Sequence, residues 1–458
     1  KLTLSQADNQ FFKATISSED MAPERPSHEI IENAWKRLNS FINTDVLNGH
    51  GVAGQATRLQ QLVNGVLAID CTAIFMCSDT RREAYQIFQV LNDRGVHLTD
   101  GDLLRSSTME LLDDPKLQTI QNELADYWDR VLAYTPNDID DYLRWYFSSY
   151  EGKRPKSSNL SDQFMQRRFA HKKASIVSKA EAKRVLAEVK QMDADFSTLR
   201  AIGDGEWPYS SPSKVVEWDR KRLKLLVEAL RHTNAMPLLL SLCQLTEKKF
   251  AEAVALLERF VFRYKTVGGA HASPMTSLYI NHAKQIRDAS KYTLTSLKSD
   301  LRALANKSVP DSIFEAKMRE LAYSPRGNWH IRYLLIVLED YHQWYDKGAH
   351  GAPKCLDKMR VFDFSNTTLE HIYPDSATQG SKVAGLERLK HTVGNLTLLG
   401  PGDNNKLANK PFAAKRKLFS KSGLKLNRDI AKKTTWTATH VKQRSTDIVK
   451  MALKIFEI

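Results

Sequence analysis

"TLEHIYP", residues 368–374, decides how the last part of this chain is read. Thr368, Leu369 and Ile372 favour extended backbone, and Pro374, which has no N–H to donate, closes the segment. A short strand is therefore expected here. Successive strand residues point to opposite faces, so Glu370 and His371 are sent to different sides of it. Downstream, "GNLTLLG" (394–400) has the same strand-like character, opened by Asn395. It is followed by "NNKLANKPFAAKRKLFSKS" (404–422), a basic helix with Asn404, Asn405 and Asn409 near its start. A strand, a turn, a strand and a helix would return that Asn cluster to the side of Glu370 and His371. Asn is a poor strand and helix former, and three of them here imply a specific hydrogen-bonding task.

The residue types suit hydrolysis of a phosphodiester. That reaction needs a base to activate water and a cation to stabilise charge on the phosphate and the leaving oxygen. Histidine titrates near neutral pH and fits the base role. A carboxylate with an amide oxygen makes a hard-oxygen site for Mg²⁺. His391 is a rival base without a carboxylate neighbour in sequence, and is read as an outer-shell or surface residue.

The series "EHIYP … GNLTLL … NNKLANKPFAAKRKLFSKS … W-T … R", over about residues 355 to 458, resembles the HNH-nuclease domain of the GmrSD family of modification-dependent restriction endonucleases. The resemblance implies a ββα-metal fold with His371 as general base and Glu370 as a metal ligand. Asn395 would brace the loop that orients the base. Asn405 would be the metal ligand on the helix, with Asn404 and Asn409 as competing candidates. Mg²⁺, or Mn²⁺, is the implied cation. Many such sites have Asp before the His, and the longer Glu370 departs from that pattern.

A second resemblance lies near the start. "REAYQIFQVLNDRGVHLTDGDLLRSSTMELL" (82–112) is similar to the later half of the ParB-like, nucleotide-hydrolysing domain of the GmrS type. That family's Asp-Gly-Gln-Gln-Arg motif is absent, so a nucleotide (GTP or ATP) is expected only if a longer protein carries it. The chain opens on Lys1, which suggests a fragment or a missing beginning. Asn92, Asp93 and Arg94 would reach a nucleotide phosphate or couple two domains; a tight turn before a helix capped by Thr99 or Asp100 is the plainer alternative.

At 458 residues the chain is too long for one core. The expected fold is mainly α, a helical multi-domain chain with a small C-terminal ββα-metal core. Its parts are residues 1–115 (the end of a ParB-like domain), 116–344 (a helical middle) and 345–458 (the HNH domain). Apolar residues recur at helical spacing in Leu117, Ile120, Leu124, Tyr127 and Val131, and again in Phe250, Val254, Leu257 and Val261. "AIDCTAIFMC" (68–77) reads as a buried strand, and "SSEDMAPERPSHE" (17–29) and "EGKRPKSSNLSD" (151–162) read as loops. Four scattered cysteines, without a Cys-x-x-Cys pair, argue against a disulfide framework and a cysteine-ligated zinc site. No apolar run approaches the roughly 20 residues of a membrane span, and a cytoplasmic setting is expected.

Net charge is +14, and residues 401–450 hold 13 Lys or Arg against three Asp. That asymmetry points to a polyanion. Lys406, Lys410, Lys415, Arg416 and Lys417 are the expected DNA contacts. The sequence thus points to a DNA endonuclease of a bacterial anti-phage restriction system, acting on double-stranded DNA, with modified phage DNA as a candidate target and an oligomer left open. A non-catalytic basic DNA-binding module and a nucleotide-responsive regulator are the alternatives.

Overall fold

A computed structural model of the chain describes residues 6–24, 26–71, 99–156, 160–169, 177–289, 291–359, 362, 364, 366–377, 382–400 and 409–458. Asn92, Asp93, Arg94, Asn404, Asn405 and Lys406 lie outside them. The described residues are mainly helical and form two compact units, Lys1–Phe147 with Pro155–Ser197, and Ser148–Arg154 with Thr198–Ile458. None of their helices is long and apolar enough to cross a membrane.

In chain order the first helices are α1 (Gln6–Ile16), α2 (Pro26–Phe41), α3 (Val52–Gln61), α4 (Asp100–Leu111), α5 (Gln118–Val131), α6 (Pro136–Glu151), α7 (Leu160–Arg167) and α8 (Lys179–Gly203). A π-helical run, Leu62–Asp70, continues α3. The first three residues of the stretch read as a strand, Ala68 to Asp70, are therefore helical, and the rest lies outside the described residues apart from Cys71. Pro26 to Glu29, read as loop, already belong to α2, because Pro suits the first turn of a helix, where its missing N–H has no partner to lose. Thr99 caps α4 in a reciprocal pair. Its hydroxyl accepts from the Asp102 N–H at 3.1 Å, and the Asp102 carboxylate accepts from the Thr99 N–H at 3.1 Å. The α5 stripe is buried at Ile120, Leu124 and Val131, but Trp128 rather than Tyr127 takes the fourth position. Its indole donates to Thr108 at 2.8 Å, which satisfies the buried N–H.

The second unit continues with α9 (Glu217–Lys224), α10 (Met236–Leu242), α11 (Glu247–Val261), α12 (Ala272–Asp288), α13 (Leu294–Ser308), α14 (Asp311–Glu320), α15 (Trp329–Asp346), β1 (Thr368–His371), α16 (Ala384–Glu387), β2 (Leu396–Leu399), α17 (Phe412–Ser420), α18 (Lys425–Ala431) and α19 (Ala438–Ile455). Phe250, Val254, Leu257 and Val261 are all buried on α11, as their spacing requires. Three of the central helices share a buried ionic knot. Arg222 on α9 donates to Glu258 on α11 at 3.0 Å and to Asp340 on α15, and Tyr333 donates to Glu258 at 2.8 Å.

Helix α15 also positions the strand pair and α18. Arg332 donates to the Thr367 carbonyl at 3.1 Å, just before β1. The Glu339 carboxylate accepts from the N–H groups of Lys425 and Leu426 at 2.7 and 2.9 Å, capping α18 from outside it. β1 and β2 pair antiparallel, with Glu370 opposite Thr397 and His371 opposite Leu396. β2 is buried throughout, and Asn427 of α18 ties to it by donating to the Leu398 carbonyl at 3.0 Å. Around the strand pair Ile372, Leu399, Phe419, Ile430, Trp436 and Val441 form one apolar cluster. The tail helix α19 is capped by Thr437, whose hydroxyl accepts from the His440 N–H at 3.3 Å.

Candidate active site

The two faces of β1 hold different chemistry. Glu370 turns inward, buried, and accepts from the Lys415 ammonium, which also donates to the His371 carbonyl at 2.6 Å. Lys415 is itself fully buried, so it does not face solvent and the expectation that it contacts DNA is corrected. The reason is helical spacing. Phe412, Lys415 and Phe419 lie three and four apart on one face of α17, and that face covers the strand pair. Burial pushes the Glu370 carboxyl up and the Lys415 ammonium down, and each opposes the other's shift by pairing.

His371 turns the other way. Its Nε2 is buried and has no hydrogen-bond partner among the described residues. Burial pushes its pKa down to about 4, against the partial opposition of Asp375, so the ring is neutral near pH 7 with a lone pair to offer. The Tyr323 ring meets His371 edge-on at 4.7 Å and stacks on His391 at 5.7 Å. The Tyr323 N–H donates to the His391 carbonyl at 2.7 Å, which fixes Tyr323 to the loop carrying that residue. Donor atoms of His371, Asp375 and His391 all lie within 4.8 Å of one another. The fold thus brings His391 beside His371 and supplies the carboxylate that it lacks among its neighbours in the chain.

Asn395 sits fully buried between the loop before β2 and the chain leaving β1. Its amide donates to the carbonyls of Tyr373 and Lys390, both at 2.9 Å. Its carbonyl accepts from the Tyr373 N–H at 2.9 Å and the Trp436 indole at 3.0 Å. Three of these bonds clamp the segments that carry His371 and His391, and the fourth ties them to Trp436. The preceding Gly394 has a packing reason. A Cβ there would meet the Val441 carbonyl at 2.3 Å and Ser445 Oγ at 2.2 Å, so only glycine lets α19 approach. Arg444 of α19 donates into the same turn, to Gly394 at 2.9 Å and Leu396 at 2.7 Å.

Among the other expected contacts, Asn409, Lys410 and Lys417 are exposed. Arg416 is half-buried and donates to the Ala431 carbonyl at 2.9 Å, closing the end of α18. Sequence reasoning missed Tyr323 and Asp375, and it gave no role to Arg444, the R that closes the quoted series. Asp375 could have been noticed four residues after His371, whereas Tyr323 and Arg444 reach the site only through tertiary packing.

Residues 308–451 match the family model described as "GmrSD restriction endonucleases, C-terminal domain". That region holds Tyr323, Glu370, His371, Asp375, His391, Asn395 and Lys415, so every group of the site just described falls within it. The match points to a restriction endonuclease with DNA as its partner. No curated protein matches the chain.

Proposed function

We propose that this chain is a metal-dependent DNA endonuclease of the HNH type, acting in a bacterial restriction system of the modification-dependent kind. The observation that carries the reading is His371. Inside the region similar to a restriction endonuclease domain, it presents a neutral imidazole whose buried Nε2 has no partner among the described residues. A structural histidine in that setting ordinarily has its hydrogen bonds met. In this reading His371 takes the proton from water, while Asn395 holds the loops that set its position. Mg²⁺ or Mn²⁺, when bound, stabilises charge on the phosphate and the leaving oxygen. Glu370, whose carboxylate accepts from Lys415, would be one of the residues holding the ion. Asn405 would supply an amide oxygen, with Asn404 or Asn409 in its place as the alternative. This all-oxygen donor set is the kind that hard divalent ions prefer. Lys410 and Lys417 are exposed cations that would meet the phosphate backbone.

A second reading rests on one contact. Glu370 is already neutralised by a buried ammonium, which suits a fold that grips DNA without cutting it. Incubating plasmid and modified phage DNA with the protein and Mg²⁺, Mn²⁺ or EDTA decides between them on a gel. Cleavage with either metal and none with EDTA is the expected result. Retarded but uncut DNA under all three conditions would favour the binding module.

A further inference from the structure

We propose a second, nitrogen-rich cation site at His371, Asp375 and His391, suited to Zn²⁺ and its chemical neighbours rather than to Mg²⁺. The site stands on its own geometry; its effect on cleavage rests on the base role proposed for His371.

Two histidine nitrogens and a carboxylate oxygen converge within 4.8 Å of one another. His371 Nε2 in this cluster is buried with no hydrogen-bond partner among the described residues, and His391 Nε2 lies 3.7 Å from the Asp375 carboxylate. Leaving such a buried atom unanswered is unfavourable, and a cation reaching His371 Nε2 would relieve it. Packing against Tyr323 holds both rings in place before any ion arrives. The rings stand nearly perpendicular, at 77° with centroids 5.5 Å apart.

The chemistry of the donors selects the ion. Imidazole nitrogen binds Zn²⁺, Co²⁺ or Ni²⁺ readily, whereas Mg²⁺ prefers oxygen and keeps its waters. Two histidines and one carboxylate make a three-ligand set that leaves further positions for water, the pattern of an open zinc site. Bond lengths of about 2.0–2.2 Å would bring the donors to about 3.4 Å from one another, so the cluster must contract on binding. Asp375, the exposed member, is the one with room to move. A cation already lies nearby, since the Lys390 ammonium is 3.5 Å from the Asp375 carboxylate. It is shared with Glu387 at 3.5 Å, and its close bond, 2.7 Å, goes to the Asp375 backbone carbonyl. The carboxylate is therefore only loosely held.

An ion in this site draws on the lone pair of His371 that water activation needs. Micromolar zinc should accordingly slow cleavage that runs in Mg²⁺, and the oxygen site should not reverse this.

The test is titration of the full chain with Co²⁺ alone, without DNA, followed by its visible d–d absorption and by calorimetry. One ion should bind, and Zn²⁺ should displace it. His391→Ala and Asp375→Asn should each weaken Co²⁺ binding by more than about tenfold, since loss of an outer partner alone costs that much. Circular dichroism melts establish that each variant is folded; the exposed Asp375 provides the variant least able to disturb packing. In cleavage assays, the zinc concentration that halves each variant's own rate should rise in parallel. Equal Co²⁺ binding by parent and both variants would overturn the site. Failure of the base role would show separately, as full cleavage by His371→Ala, and would leave the Co²⁺ result standing.

Discussion

His232 and His371 are two histidines sunk into the same unit, and burial pushes the pKa of both far down, to about 3 and about 4. They differ in what their ring nitrogens meet. His232 Nε2 lies 3.1 Å from the Tyr279 hydroxyl inside a closed core, with the tyrosine ring edge-on to the imidazole. His371 Nε2 is enclosed by Tyr323, Asp375 and His391 without a hydrogen bond among the described residues. A depressed pKa therefore marks burial in both and function in neither. The unmet Nε2 is what sets His371 apart from His232, and the base role proposed for His371 rests on it. The same contrast divides β1 across its two faces, where Glu370 is answered by Lys415 and His371 Nε2 has no hydrogen-bond partner among the described residues.

Groups whose hydrogen bonds are met should carry stability, and removing them should have the largest effects on unfolding. Lys415→Met leaves Glu370 buried without its ammonium and should cost about 3–5 kcal/mol in urea unfolding. Glu370→Leu added to it should recover most of the loss, since replacing both partners is far milder than removing one. Asn395→Ala leaves four polar groups unmet and should cost about 2–4 kcal/mol, with cleavage falling as the base loses its support. Tyr279→Phe removes the hydroxyl from His232 and should cost about 1–3 kcal/mol without touching the cleavage rate.

A pH series probes both histidines at once. Each stays neutral in the folded state, whereas in the unfolded chain each takes a proton near its ordinary value of about 6.5. The stability they permit is fully present above that value. It should decline as pH falls toward about 4 and about 3, where His371 and His232 take their protons. His232→Gln should make the decline shallower; an unchanged slope would show that His232 is not held neutral. The smallest effect on stability is expected on the exposed surface. Replacing Lys410 and Lys417 with Gln should shift unfolding by less than about 0.5 kcal/mol. The same change should flatten the log-log salt dependence of DNA binding by up to about two units.

Much of this was legible in sequence because it is local. The β-favouring residues and Pro374 marked β1, "NLTLLG" marked β2, and the cap at Thr99 was one of two candidates readable from residue type. Lys415 was misread because charge was weighed and spacing was not. Phe412, Lys415 and Phe419 already placed it on the buried face. Tyr323 was beyond reach, since it is not near His371 in the chain and only packing of the 322–392 bridge brings it in, and the bonds Arg444 makes into the turn before β2 depend on the packing of α19. Pairing of Glu370 with Lys415 is likewise a property of the folded core alone. So is the unmet His371 Nε2 among the described residues.

The most direct test is His371→Ala, followed as the rate of Mg²⁺-dependent DNA cleavage beside DNA affinity and the unfolding midpoint. Loss of a general base should slow cleavage by about 10²- to 10⁴-fold, with affinity and folding close to those of the parent. Full metal-dependent cleavage by that variant, in a preparation free of contaminating nuclease, would contradict the account and leave His371 as a core histidine like His232.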